Sequence, residues 1–246
     1  MPTWQKSKLI TVNLVFLLVL LSWIAPITRD LWASLDTHAF FFFNGLLDNT
    51  PAWQRFWAYT NQRAFDLVPA TIMLSLFCLF IFSNKRQYIA KRTTQIIIIS
   101  LFSIAALTFS KKVLDIERYS PSLQLEPVHR LSLLVTDIPT KDASRGSFPG
   151  EHTLTLTNWV ILFWFFAGWR YGITAAFLAC IFSIPRLVGG AHWMTDDIIG
   201  GIGLSAVACS WLLYTPAMAH LQNALRPHID KLCIKLKLQP NQKTTA

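Results

Sequence analysis

Leu67-Val-Pro-Ala-Thr-Ile-Met-Leu-Ser-Leu-Phe-Cys-Leu-Phe-Ile-Phe-Ser83 carries no charge, and Asn84-Lys-Arg-Gln-Tyr-Ile-Ala-Lys91-Arg92 follows it at once. An apolar run of that length closed by basic residues reads as a helix that crosses lipid and stops at a cytoplasmic surface. The pattern recurs. Apolar runs lie at about 9–26, 67–83, 94–110, 154–169, 171–188 and 198–214. Several fall short of the ~20 residues a bilayer core takes, so their helices are expected to extend at the ends. Only 14% of the 246 residues are charged and 53% are hydrophobic. A soluble domain of this size is nearer a quarter charged. The fold class is therefore read as all-α: a polytopic membrane protein, a bundle of six transmembrane helices with extra interfacial helices.

Two stretches do not fit a simple span. Ala39-Phe-Phe-Phe-Phe43 is too short to cross and suits an interfacial helix. Lys6 and Lys8 precede the first run as in a signal peptide, but no small-x-small site follows, so an uncleaved span is expected. Gly168-Trp-Arg170-Tyr-Gly172 joins the fourth and fifth runs as a very tight turn. Residues 1–218 are read as the membrane domain and 219–246 as a basic cytoplasmic tail.

Basic residues set the orientation. Lys6 and Lys8, the Lys85–Arg92 loop, Arg170, and the tail with Arg226, Lys231, Lys235, Lys237 and Lys243 fall on one side if the spans number six. That side is expected to be cytoplasmic, with both termini. The net charge of +9 then needs no nucleic acid; headgroups answer it. Cys78, Cys180, Cys209 and Cys233 have neither disulfide-framework nor zinc spacing.

One loop breaks the rule. Residues 111–152 belong on the far side yet carry Lys111, Lys112, Arg118, Arg130, Lys141 and Arg145. An anionic substrate explains that charge. The plainer explanation is a loop balanced by its own acids, Asp115, Glu117, Glu126, Asp137, Asp142 and Glu151. By span parity this face also collects Gly150, His152 and the seam Arg186-Leu-Val-Gly-Gly-Ala-His192-Trp-Met-Thr-Asp196. Arginine forks match phosphate oxygens. On a helix, Asp196 shares a face with His192 and takes its Nδ1 proton, leaving Nε2 as a nucleophile. His152 is then the acid for the departing oxygen and the base for the acceptor. Lys111, Arg118 and Arg186 neutralise the phosphoryl oxygens, and Gly150 offers a backbone N–H at a helix start. Each residue also has a structural reading, as a satisfied polar group at a helix end.

Lys111-x6-Arg118, Pro149-Gly-Glu-His152 and Arg186-x5-His192-x3-Asp196 together resemble the three-part signature of the type 2 phosphatidic-acid phosphatase superfamily. The resemblance implies six-helix, metal-independent enzymes of lipid phosphates, with no cofactor. It implies His192 as nucleophile, Asp196 as its orienting acid, His152 as general acid, and Lys111, Arg118 and Arg186 as phosphate ligands. The chain departs from the pattern at three places. Gly150 and Glu151 stand where Ser-Gly is usual, Tyr119 and Ser120 separate Arg118 from Pro121, and Pro185 replaces a serine.

These departures, with the runs 60–66, 139–152 and 190–196, are similar to one branch of the superfamily. Its members pass a phosphoryl group from undecaprenyl diphosphate to the 1-phosphate of lipid A at the periplasmic face of the Gram-negative inner membrane. The partners implied are those two lipids, with no obligate protein partner. Arg63, Lys141 and Arg145 become candidates for a second phosphate or the acceptor. A lipid diphosphate or phosphatidylglycerophosphate phosphatase of the same superfamily is the alternative. A carrier that binds lipid phosphate without chemistry is a third reading.

Overall fold

A computed structural model of the protein describes residues 3–83, 85–113 and 116–240. Asp115 of the basic loop and the last six residues of the expected tail lie outside them. The described chain is helical, without a strand among the described residues. Its helices are α1 (Lys6–Ile24), α2 (Pro26–Asn44), α3 (Pro51–Asn61), α4 (Leu67–Phe82), α5 (Ile89–Val113), the single turn α6 (Leu131–Leu134), α7 (Glu151–Ala167), α8 (Trp169–Val188), α9 (Leu204–Leu213) and α10 (Ala217–Lys235).

Five helices are long and apolar enough to cross a membrane: Lys6–Ile24, Arg63–Phe82, Arg86–Val113, Trp169–Val188 and Asp196–Leu213. The remaining expected span is α7, which has 17 residues. At 1.5 Å per residue it reaches about 25 Å, less than the ~30 Å of a hydrocarbon core. Its length is bounded by Gly150 before it and by Gly168, whose φ of +89° turns the chain straight into α8. Gly172 completes that turn: a Cβ there would lie 2.3 Å from the Trp164 indole. The Ala39–Phe43 patch is the end of α2 rather than a separate short helix.

The main core lies between α4, α5, α7, α8 and α9. Met73, Phe77, Phe80, Ile98, Ile99, Leu162 and Phe163 are buried there. A second apolar cluster, built on Leu47, Ala58, Leu131 and Val188, ties α3 and the long loop to the end of α8. In lipid, such packing must come from fitted contacts rather than from water exclusion. The stacked edges of Phe77, Phe80, Phe163 and Tyr171 supply that fit. At the opposite end α10 docks on α5, with Cys233 against Ile89 and Ala90, and the Ala90 N–H donates to Gln239 Oε1 at 3.2 Å.

The loop between α5 and α7 is held by its own backbone. Ser120 N–H donates to the Ser144 carbonyl at 2.9 Å, and Ser147 N–H to the Arg118 carbonyl at 2.8 Å. These bonds bring Arg118 beside the residues that lead into α7, although 27 to 29 positions separate them in sequence from Arg145 and Ser147.

Candidate active site

His192 sits in a bend between α8 and the next helix. That helix begins at Met194 and opens into a π-helical stretch, Asp196–Gly203. Wide turns of that kind often mark functional sites. Gly190 makes the bend, with φ +70° and Phe40 so close that a Cβ would meet it at 2.9 Å. His192 is 5% exposed. Its Nδ1 lies 2.7 Å from the Ser147 carbonyl, whereas the nearest Asp196 oxygen is 3.7 Å away.

The expected His192–Asp196 hydrogen bond is therefore replaced by one to the backbone. Two reasons are visible. His192 precedes the helix, so the four-residue spacing does not stack the pair. Asp196 is also fully engaged: Oδ1 accepts from Arg118 at 2.5 Å and Oδ2 from the Trp193 N–H at 2.8 Å. The chemical consequence expected of Asp196 is kept by another group. A carbonyl only accepts, so the Nδ1 of neutral His192 must carry the proton and Nε2 keeps its lone pair.

Arg118 lies between the rings of Trp23 and Trp193, 5.4 and 5.3 Å from their centroids. Besides Asp196, it donates to Thr195 Oγ1 at 2.9 Å and to Asp36 Oδ2 at 2.8 Å. Asp36 also accepts from the Thr195 N–H and hydroxyl, at 2.8 and 2.6 Å. Arg118 is thus largely a frame for the His192 turn. Its Nε–H and one Nη2–H have no partner among the described residues.

Arg186 is buried at the end of α8. Its Nη1 donates to the Asn61 carbonyl at 2.5 Å and to Asn61 Oδ1 at 2.7 Å. Its Nη2 donates to Asp66 Oδ1 at 3.0 Å and lies 3.3 Å from His152 Nε2. The same Asp66 oxygen lies 3.1 Å from His152 Nε2. The Asp66 carboxylate only accepts, so the shorter contact calls for a proton on Nε2, whereas the Arg186 guanidinium only donates and its longer contact calls for the lone pair there. His152 Nδ1 is buried without a partner. His152, Asp66 and Arg186 close the polar end of a cleft whose other walls include Pro69, Leu156, Trp159 and Phe182. Polar at that end and mostly apolar along the rest of its surface, the cleft has the character of a site for an amphipathic ligand.

The remaining expected residues divide. Lys111 pairs with Glu151 at 2.8 Å, so the extra acid beside His152 is neutralised. Gly150 does not offer its N–H to a ligand; that N–H donates to the Asp196 carbonyl at 3.0 Å. The glycine is required by proximity instead, since a Cβ would stand 2.2 Å from Asp197 Oδ1. Arg145 is exposed and makes no hydrogen bond or ion pair among the described residues. The residues form two groups, His152 with Arg186 and His192 with Arg118 and Asp196, and Gly150 joins them by its bond to the Asp196 carbonyl just before α7. Lys111 reaches this junction through Glu151, and Arg145 bonds to neither group. Among the described residues no cluster of His, Cys, Asp and Glu has the makings of a metal site.

Residues 128–221 match the PAP2 superfamily. Lipid A 1-diphosphate synthase of Escherichia coli (strain K12) is 33% identical over 215 residues, covering 85% of this chain and 88% of that protein. The chain belongs to the PAP2 superfamily. No solved structure matches it.

Three supporting side chains of this PAP2 protein escape a motif reading. Asp36 is legible only as a charge that balances the first outer loop, yet it is buried under Arg118. Asn61 and Asp66 lie in the run 60–66 that resembles a branch of the superfamily, but nothing in that run names Arg186 as their partner. A carboxylate in the aromatic helix α2, five residues from Phe41, is the one local signal for Asp36.

Proposed function

We propose that the protein is a lipid phosphotransferase that moves a phosphoryl group from undecaprenyl diphosphate to the 1-phosphate of lipid A through a phosphohistidine on His192. The observation that carries the reading is the His192 Nδ1 contact with the Ser147 carbonyl at 2.7 Å, which leaves Nε2 with its lone pair. In the first step Nε2 attacks the terminal phosphorus of the donor. The bond between that phosphorus and the bridging oxygen breaks, and undecaprenyl phosphate leaves with the electron pair. His152 supplies the Nε2 proton to the departing oxygen, in competition with Asp66. Arg118 and Arg186 hold the two histidine turns in register and turn their remaining N–H groups to the phosphoryl oxygens.

In the second step an oxygen of the acceptor phosphate attacks the phosphohistidine. The phosphorus–nitrogen bond breaks, its electrons return to the His192 Nε2, and the acceptor phosphate's acidic proton passes to the His152 Nε2, restoring the acid. The choice of lipid A as acceptor rests on the likeness to lipid A 1-diphosphate synthase. The same reading takes α7 as a sixth span, 1–218 as the membrane domain, and 219–246 as a cytoplasmic tail. It puts the enzyme in a Gram-negative inner membrane with the site facing the periplasm. A 17-residue helix supports a span if α7 sits in a locally thinned bilayer.

The test uses undecaprenyl diphosphate labelled in its terminal phosphate, with and without lipid A. Label on lipid A is the expected result. Label found only as free phosphate, with lipid A present, would make the protein a phosphatase and reject the transfer.

A further inference from the structure

Besides the exposed Arg145, the catalytic network leaves Arg63 and Lys141 unexplained. Arg63 and Lys141 face each other across a cavity of about 390 Å³ that Thr140 also lines. Neither forms an ion pair among the described residues. The Thr140 hydroxyl oxygen is buried without a hydrogen-bond partner. Asp142 is the acid on the cavity wall, and it is fully occupied elsewhere. Its Oδ1 accepts from Arg130 at 3.2 Å, and its Oδ2 from the Ser132 N–H at 2.9 Å and the Ser132 hydroxyl at 2.7 Å. Burial raises the Asp142 carboxyl, but the bonds from Arg130 and Ser132 outweigh it and hold the group below the usual carboxylate range. It stays ionised and paired with Arg130 and Ser132.

The cavity adjoins the site. Arg63 opens the short turn Arg63–Asp66, whose Asp66 binds both Arg186 and His152. Around Lys141 lie Arg63, Lys111 and Arg186, with Glu151 as the opposing acid. Burial first, then those three cations, keeps the Lys141 ammonium below its ordinary range against the pull of Glu151. A doubly negative ligand is what such a place lacks.

Transfer from phosphate to phosphate has a need that hydrolysis does not. Water is neutral, whereas a phosphate monoester must approach a phosphorylated histidine against like charge, which a partly desolvated site screens poorly. Cations beyond those at the transferred group must therefore hold the acceptor. We propose that the Arg63–Lys141 cavity, with the Thr140 hydroxyl as a further donor, binds the phosphate monoester of the acceptor lipid. This rests on the transfer reading above. When the acceptor oxygen attacks, one phosphorus–oxygen bond forms and the phosphorus–nitrogen bond to His192 breaks. No water is consumed, and the two cations stay with the product diphosphate.

The full-length enzyme in phospholipid micelles, the terminally labelled donor and lipid A bearing a 1-phosphate provide the test. Arg63→Gln, Lys141→Gln and the double variant are compared with wild type in two measurements: acid-labile label on the protein without acceptor, and transfer with acceptor. The variants are expected to acquire protein label within about twofold of the wild-type rate. Their KM for lipid A should rise about tenfold singly and on the order of 100-fold together, with Arg63→Lys staying within about threefold. An unchanged acceptor KM overturns the assignment. So does loss of protein labelling in the glutamine variants, which would assign the cations to the donor.

Inorganic phosphate, offered in place of lipid A, should give labelled pyrophosphate at least about tenfold less efficiently than the lipid gives product. Equal use would make the cavity a site for free phosphate. Wild-type enzyme that labels water but no phosphate acceptor would sink the transfer reading itself, and the cavity assignment with it.

Discussion

The two histidines of this site live in opposite surroundings. His192 is 5% exposed and its ring is tied by Nδ1 to a backbone carbonyl. His152 has a side chain 28% exposed, and its Nε2 meets a carboxylate and a guanidinium. A carbonyl cannot move without the backbone, so the His192 ring is rigid and presents a lone pair. The Asp66 side chain is 43% exposed, so the partner of His152 is a side chain with room to move, as the proposed general-acid role requires. The two rings are thus separated by what each leans on, a backbone carbonyl or a half-exposed carboxylate, rather than by the residue type.

That contrast breaks most sharply at His192. His192→Ala should reduce phosphoryl transfer by on the order of 10⁴-fold and abolish acid-labile protein label, because no other group takes the covalent step. Retained turnover in that variant would end the distinction and favour a carrier. His152→Gln should lower transfer by roughly 10²–10³-fold. A donor with a more acidic leaving group should recover most of the loss, since it needs no proton. An equal loss with both donors would remove His152 from the acid role.

Gly150→Ala tests how the two halves are joined. The new methyl would meet Asp197 Oδ1 at 2.2 Å and the Asp196 carbonyl at 3.2 Å. The start of α7, which carries His152, should then shift from the His192 turn, and transfer should fall roughly 10- to 100-fold. Wild-type turnover would mean that this junction tolerates displacement. Asp66→Asn is the finest probe. It keeps the shape but weakens the charge-assisted bond to His152 and Arg186, with an expected loss of roughly tenfold in kcat and little change in donor KM. A loss confined to KM would make Asp66 a substrate-binding group instead.

The long basic loop shows how far local reading reaches. Its six cations on the outer side read either as an anion signal or as charges answered by the loop's own six acids. The loop's acids turned out to serve different cations. Asp142 answers Arg130 within the loop, whereas Asp137 reaches across to Arg55 at 2.5 Å. Glu151, a departure from the superfamily pattern, closes on Lys111. Two of these pairs stay within residues 111–152, as a loop balanced by its own acids requires, whereas the pair with Arg55 depends on how α3 meets the loop.

What the chain determined by itself is whatever depends on near neighbours. Long uncharged runs make helices that suit lipid, because only internally bonded backbone is stable there. Gly168 makes the α7–α8 turn, and motif spacing picks out the two histidines and three of their cations. What only the tertiary structure decided is the partner of each polar atom. The acceptor for His192 lies 45 residues away, the carboxylate under Arg118 82 away, and the carbonyl under Arg186 125 away. Buried hydrogen-bonding groups must be satisfied by whatever the packing brings alongside, and distance along the chain carries no information about that.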